Sequence, residues 1–257
     1  MFLRTSILLF SLALPVFIFA QTILPVGTPA VQQYSKSQYK AGNQNWSISV
    51  DKTGMIYTGN NEGLLSFDGQ YWSLHLLPNK SIVRSVKVSN DGKIYTGGHG
   101  EFGYWERFPL GKMKYTSLSK LVKNQQQLKN DEIWRIAIHD KAIYFQAFSK
   151  TYIYENHSIK ELTAAGEPFL FLHHVKNKLF LEQIPSGLHL LENNELSPLA
   201  EKDILKYKNI LTILPFDNNN YIIGTANNGL YKLDNQQQIS FWACEASTVL
   251  ADRKSVV

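Results

Sequence analysis

The stretch Ile56-Tyr57-Thr58-Gly59-Asn60-Asn61-Glu62-Gly63-Leu64-Leu65-Ser66-Phe67-Asp68-Gly69 reads as two short strands joined by one tight turn and closed by a second. Its opening phrase returns as Ile94-Tyr95-Thr96-Gly97. Weaker copies follow at Ile143-Tyr144-Phe145-Gln146, Phe180-Leu181-Glu182-Gln183 and Ile222-Ile223-Gly224-Thr225. Successive copies begin 38, 49, 37 and 42 residues apart, a period that belongs to repeat architectures.

Each copy carries the same internal pattern. An alternating strand comes first, as in Ser47-Ile48-Ser49-Val50, Ser85-Val86-Lys87-Val88 and Arg135-Ile136-Ala137-Ile138. Turn residues follow, Asp51-Lys52-Thr53-Gly54, Asn90-Asp91-Gly92, Asp140-Lys141 and Asp217-Asn218-Asn219-Asn220, where Gly, Asn and Asp supply the backbone angles of a tight hairpin. The repeated phrase is the second strand. A third opens at Gly63-Leu64, Gly187-Leu188 or Gly229-Leu230, and a short fourth, such as Tyr71-Trp72-Ser73-Leu74, completes the unit. Four up-and-down strands cannot bury both faces alone, whereas units stacked around an axis can. The pattern therefore predicts an all-β chain, a β-propeller of four-stranded blades with five blades of a larger, seven-bladed ring, starting near residues 45, 83, 133, 170 and 210. Residues 45–251 form this incomplete propeller and 21–44 a lead-in segment. Thr116 to Glu132 reads as a long surface loop or short helix between blades two and three.

Composition agrees: hydrophobic residues make up 44% of 257, charged residues only 18%, and the chain holds 13 Tyr, 14 Phe and 5 Trp, a balance suited to half-buried strands. Residues 1–20 have the pattern of a signal peptide, with Arg4, an apolar run from Ser6 to Phe19, and Ala20 before Gln21. That predicts export to the periplasm. The formal charge of +5 falls to +4 once Arg4 is removed, and the basic residues form no stripe, which argues against nucleic acid as a partner of this region. Cys244 is the sole cysteine, so no internal disulfide is expected.

The phrases Gly59-Asn60-Asn61-Glu62-Gly63-Leu64-Leu65-Ser66-Phe67-Asp68-Gly69 and Gly100-Glu101-Phe102-Gly103-Tyr104-Trp105 resemble the opening blades of the two-component-regulator-type propellers, the exported sensor regions of Bacteroidetes-like receptors. The resemblance covers about Asn45 to Trp242. It implies a fragment of a transmembrane signalling or transcription regulator. In that family a triple-tyrosine immunoglobulin-like domain, a membrane helix and a cytoplasmic output follow the propeller, the output being a LuxR-type helix-turn-helix or a histidine kinase. By that resemblance the membrane is met only through a C-terminal segment, and the full-length receptor is compatible with a dimer. Asp252-Arg253-Lys254-Ser255-Val256-Val257 matches the translation of a widely used sequencing-adapter sequence, so 252–257 is expected to be a non-native tail.

Two sets of loops are expected at one rim of the channel, where ligands bind concave surfaces. The loops leading into the inner strands place Trp46, Arg84, Trp134 and Thr212 in one column, with Arg135 beside it. The loops between second and third strands add Asn60, Asn61, Glu62, His99, Glu101, Asn227 and Asn228. Aromatic faces with guanidinium and amide groups suit a saccharide, including an acidic one, or another small periplasmic ligand. Packing between blades and turn formation account for the same residues. No catalytic set, metal site or cofactor is expected. His173 and His174 are adjacent in a strand and point to opposite faces, and Glu101, Glu106, Asp131 and Glu132 read as solvated loop carboxylates. The leading expectation is a ligand-sensing propeller; the alternatives are an exported scaffold for envelope proteins and a propeller carbohydrate-active enzyme.

Overall fold

In the computed structural model, residues 31–164, 166–199 and 202–246 are described. The expected signal peptide, the first part of the lead-in segment and the tail 252–257 lie outside them. Within these bounds the alternating segments become twenty strands in five antiparallel sheets, each running in chain order. The first sheet comprises β1 (Asn45–Val50), β2 (Ile56–Asn60), β3 (Gly63–Phe67) and β4 (Trp72–His75). The second comprises β5 (Val83–Val88), β6 (Ile94–Gly98), β7 (Phe102–Arg107) and β8 (Met113–Ser117). The third comprises β9 (Arg135–His139), β10 (Ala142–Gln146), β11 (Lys150–Glu155) and β12 (Ser158–Thr163). The fourth comprises β13 (Phe169–Val175), β14 (Lys178–Gln183), β15 (Gly187–Glu192) and β16 (Glu195–Pro198). The fifth comprises β17 (Ile210–Pro215), β18 (Tyr221–Thr225), β19 (Leu230–Leu233) and β20 (Ile239–Phe241). The first strand of each sheet lies against the first strand of the next, so five blades stand side by side around an axis.

The core lies between blades. Tyr57 and Leu64 of the first pack with Val83, Val86, Ile94 and Trp105 of the second. Tyr95 and Phe102 of the second pack with Phe145 and Tyr152 of the third, and two further clusters join blades three to four and four to five. Strand alternation produces this: one face of each sheet meets the preceding blade and the other meets the next. The residues opening blades two to five, Val83, Ile133, Phe169 and Ile210, are all fully buried.

Those opening residues need a seat on the blade before them. A Cβ added at Gly97 would stand 2.4 Å from Ile133 Cγ2, and one at Gly59 would stand 2.7 Å from the Val83 carbonyl oxygen. Glycine is required there because the next blade approaches the bare backbone. Glu182 holds the equivalent position in blade four, and both its carboxylate oxygens accept from the Ile210 N–H at 3.1 Å.

The connection from Thr116 to Glu132, expected as a long surface loop or short helix, contains short helical turns but is not confined to the surface. After β8 it makes a 3-10 turn at Ser119–Leu121 and a helical turn, α2, at Gln125–Leu128, the label α1 being kept for Lys36–Tyr39 in the lead-in. Leu118, Val122 and Leu128 are buried in the cluster between blades two and three. The Lys- and Gln-rich residues around them hid three apolar positions that fill one interface.

Two sheet faces have no following or preceding blade among the described residues. Ile48 and Val50 on blade one and Leu214 and Phe216 on blade five are all more than two-fifths exposed. Tyr34 and α1 cover part of the blade-one face, with the Tyr34 ring 5.0 Å from Phe67 and 5.4 Å from Trp72. No helix among the described residues is long and apolar enough to cross a membrane.

Candidate functional site

The register of the inner strands shifts between Asn45 and Ser47, between Val83 and Ser85 and between Ile210 and Thr212. A bulge of this kind re-aims the extra side chain, and it turns Trp46 and Arg84 towards the rim. Trp134 arrives at the same place just before β9, its N–H bonded to the Gln146 carbonyl oxygen at 2.8 Å. Thr212 does not belong to this column. It pairs with Gly224 as Ser85 pairs with Gly97, so Leu211 occupies the bulge position. The sequence alignment missed the one-residue slip that the bulge introduces.

Arg84 joins three blades. Its guanidinium carbon lies 3.9 Å from the Trp46 ring centroid and 4.6 Å from that of Trp134. Its Nη2 donates to Glu132 Oε1 at 3.2 Å, and His99 Nδ1 stands 3.9 Å from the same oxygen. Trp134 also stacks on Phe148 at 5.3 Å, while Trp46 Nε1 donates to Asn61 Oδ1 at 2.7 Å. The indoles are thus engaged by protein groups. The Nε and Nη1 atoms of Arg84 are buried without a hydrogen-bond partner.

The other predicted residues divide. Asn60 is fully buried, its amide nitrogen donating to the Gly42 carbonyl oxygen at 2.6 Å and to Asn45 Oδ1 at 2.8 Å. Its Oδ1 accepts from the Glu62 N–H at 3.0 Å, which forms the turn that leaves the Glu62 side chain exposed. Asn61 bridges Trp46 to Gln44. Glu101 accepts from Tyr115 at 3.0 Å and Ser117 at 2.7 Å, and Asp131 accepts from Tyr152 at 2.6 Å and Ser149 at 2.7 Å. Both carboxylates are buried, which corrects their reading as solvated loop groups; turn-like flanks concealed partners supplied by other strands. Burial and the Asp131 carboxylate raise the Tyr152 hydroxyl well above its ordinary range, keeping it a donor. Asn227 and Asn228 are exposed in the β18–β19 turn of blade five.

Below the Arg84 clamp a groove of about 590 Å³ runs along the inner strands, walled by Trp46, Ser47, Arg84, Lys87, Arg135 and Phe171 among others. Its size suits a small ligand. The Arg135 guanidinium carbon lies 4.9 Å from the Phe171 ring centroid. Lys87 and Phe171 escaped the sequence reading because only the assembled ring brings strands from different blades onto one wall. His173 is buried and His174 exposed, as strand alternation requires, and His174 Nε2 meets His139 Nδ1 of the neighbouring blade at 3.4 Å. Burial, and then repulsion from Arg135, lowers His173 to about 4.

No protein-family description matches the chain, and no curated protein is similar to it in sequence. Solved structures do resemble it. Virginiamycin B lyase from Staphylococcus aureus matches with a TM-score of 0.61 at 12% identity, over 79% of this chain and 72% of that one. By fold, the chain is a β-propeller. The extracellular domain of a putative one-component system from B. thetaiotaomicron matches with a TM-score of 0.54 at 14% identity, over 76% of this chain and 27% of that one. The extracellular domain of a putative hybrid two-component system from the same organism gives 0.52 at 17% identity, over 84% and 37% respectively. The chain therefore spans between about a quarter and two-fifths of those two extracellular domains.

Proposed function

We propose that this propeller is the ligand-sensing module of an exported bacterial signalling receptor, binding a small periplasmic ligand such as a saccharide in the groove beneath Arg84. The observation that carries the reading is the groove itself, walled by the inner strands of four blades and roofed by a side chain that ties three of them together. A ligand lying there would touch several blades at once and change how they sit against one another, which is what a sensor needs. The propeller domains of two regulators from B. thetaiotaomicron are consistent with it. Glu101 and Asp131 are held by hydroxyls of the blades and are not among the residues that line the groove.

The test is thermal unfolding of the purified chain against a panel of saccharides and small metabolites, followed by calorimetry of any hit. A sensor shows a ligand-dependent rise in Tm that follows mass action, and loses it when Phe171 is replaced by Ala. Hydrolysis or elimination of a panel compound would move the assignment to an enzyme, and the absence of any hit would favour a scaffold.

A further inference from the structure

The groove walls carry an imbalance of charge. Arg84, Lys87 and Arg135 line it, drawn from blades two and three, and no Asp or Glu is among the residues that line it. Arg84 has Glu132 as a partner, but Lys87 and Arg135 form no ion pair with any described residue. The neighbouring ionisable groups offset little of this. Asp140 lies beside His139, with 3.6 Å between His139 Nε2 and Asp140 Oδ2, and His174 is held below its ordinary range by burial first, then by its neighbours His139 and Lys87. Cations gathered in a concave, partly apolar site raise the local concentration of anions and favour them as ligands. The same walls hold the Phe171 ring, so an apolar face is available beside the charge.

We propose that the ligand of this groove is an anion with a carbon framework, a saccharide or similar small molecule bearing a carboxylate or sulfate, with Lys87 and Arg135 as the residues that select its charge. Arg135 is fit for this by its planar fork of donors, which meets a carboxylate or sulfate with two parallel bonds. Lys87 adds a point charge. Arg84 stands behind them and positions the roof, its Nη2 already given to Glu132. This rests on the sensing role proposed above and narrows it to one chemical class.

Matched ligands separate the two claims. The purified chain is titrated by calorimetry with digalacturonate, with galactose 6-sulfate, and with neutral galactobiose and galactose as their counterparts. The expected result is that at least one anionic probe binds about tenfold or more tightly than its neutral counterpart, and that the advantage shrinks as salt is raised from about 20 to 300 mM. Arg135→Gln and Lys87→Gln each remove most of the advantage, while thermal unfolding without ligand confirms that both variants fold. The sulfate and carboxylate arms show which anion is preferred. A neutral probe binding equally well or better, independent of salt, overturns the charge assignment and leaves the sensing role standing. Failure of all four probes, together with failure of every member of the wider panel, overturns both.

Discussion

Arg84 sits between two indoles from neighbouring blades and reaches Glu132, 48 residues further along the chain. Replacing it with Met keeps much of the volume and removes the charge. The two cation–π contacts and the ion pair are then lost, with an expected cost of about 1–3 kcal/mol in urea unfolding; an unchanged midpoint would show the clamp to be energetically idle. Glu182 presents the opposite situation. Burial between blades four and five raises its carboxyl to about 7 against the restraining hydrogen bond from Ile210. Since the folded chain holds that proton more tightly than the unfolded one, its stabilising contribution is complete below about pH 4.5 and is lost as pH rises through 7. His173 acts in the other direction, because a folded value near 4 withdraws stability as pH falls below about 6.5. Glu182→Gln should therefore gain stability relative to the parent between pH 5 and about 8, measured as the difference in Tm at each pH. A parallel shift of the two curves would exclude Glu182 as the titrating group.

At the scale of strands, the seat for the next blade can be tested by adding a single methyl group. Gly97→Ala drives a Cβ into Ile133, and Gly59→Ala drives one against the Val83 backbone. Both should destabilise by about 2 kcal/mol or more. Gly224 holds the same place in β18, but the nearest atom to its added Cβ is Thr212 Cγ2 of its own blade, at 3.0 Å. Gly224→Ala should cost clearly less, about 1 kcal/mol or below. Equal losses at all three sites in denaturant unfolding would mean that strand packing within a blade, and not the approach of the next blade, demands glycine. The three glycines look alike in sequence. Only the neighbouring blade tells them apart.

For the molecule as a whole, the exposed Leu214 and Phe216 face and the exposed Ile48 and Val50 face are the two places where the interblade pattern finds no described partner. Apolar patches of this kind promote association. The purified chain should self-associate with rising concentration, and the double variant Leu214→Lys/Phe216→Lys should shift sedimentation towards the monomer. Both side chains are about half exposed, and the Phe216 ring also packs on Trp242 at 5.2 Å, so the expected loss of stability is modest, about 1 kcal/mol. A parent chain that remains monomeric across the concentration range would show these faces to be inert.

Strand order and the repeated four-stranded blade were legible in the sequence, because alternation and turn chemistry act over a few residues and recur five times. The phrase beginning at Ile56 and its copies located every second strand or its near neighbourhood. What lay beyond reach was whatever depends on two distant segments meeting. The bulge that puts Leu211 in place of Thr212, the burial of Leu118 and Leu128, and the partners of Glu101 and Asp131 all needed a neighbouring strand or blade to be present. The candidate site shows the same division. Trp46, Arg84 and Trp134 were found by aligning repeats, yet that the indoles would enclose Arg84, and that Lys87, Arg135 and Phe171 would share one groove, was decided by the curvature of the blade array. Local periodicity specifies the blades, and only their packing around a common axis brings residues tens of positions apart onto one wall.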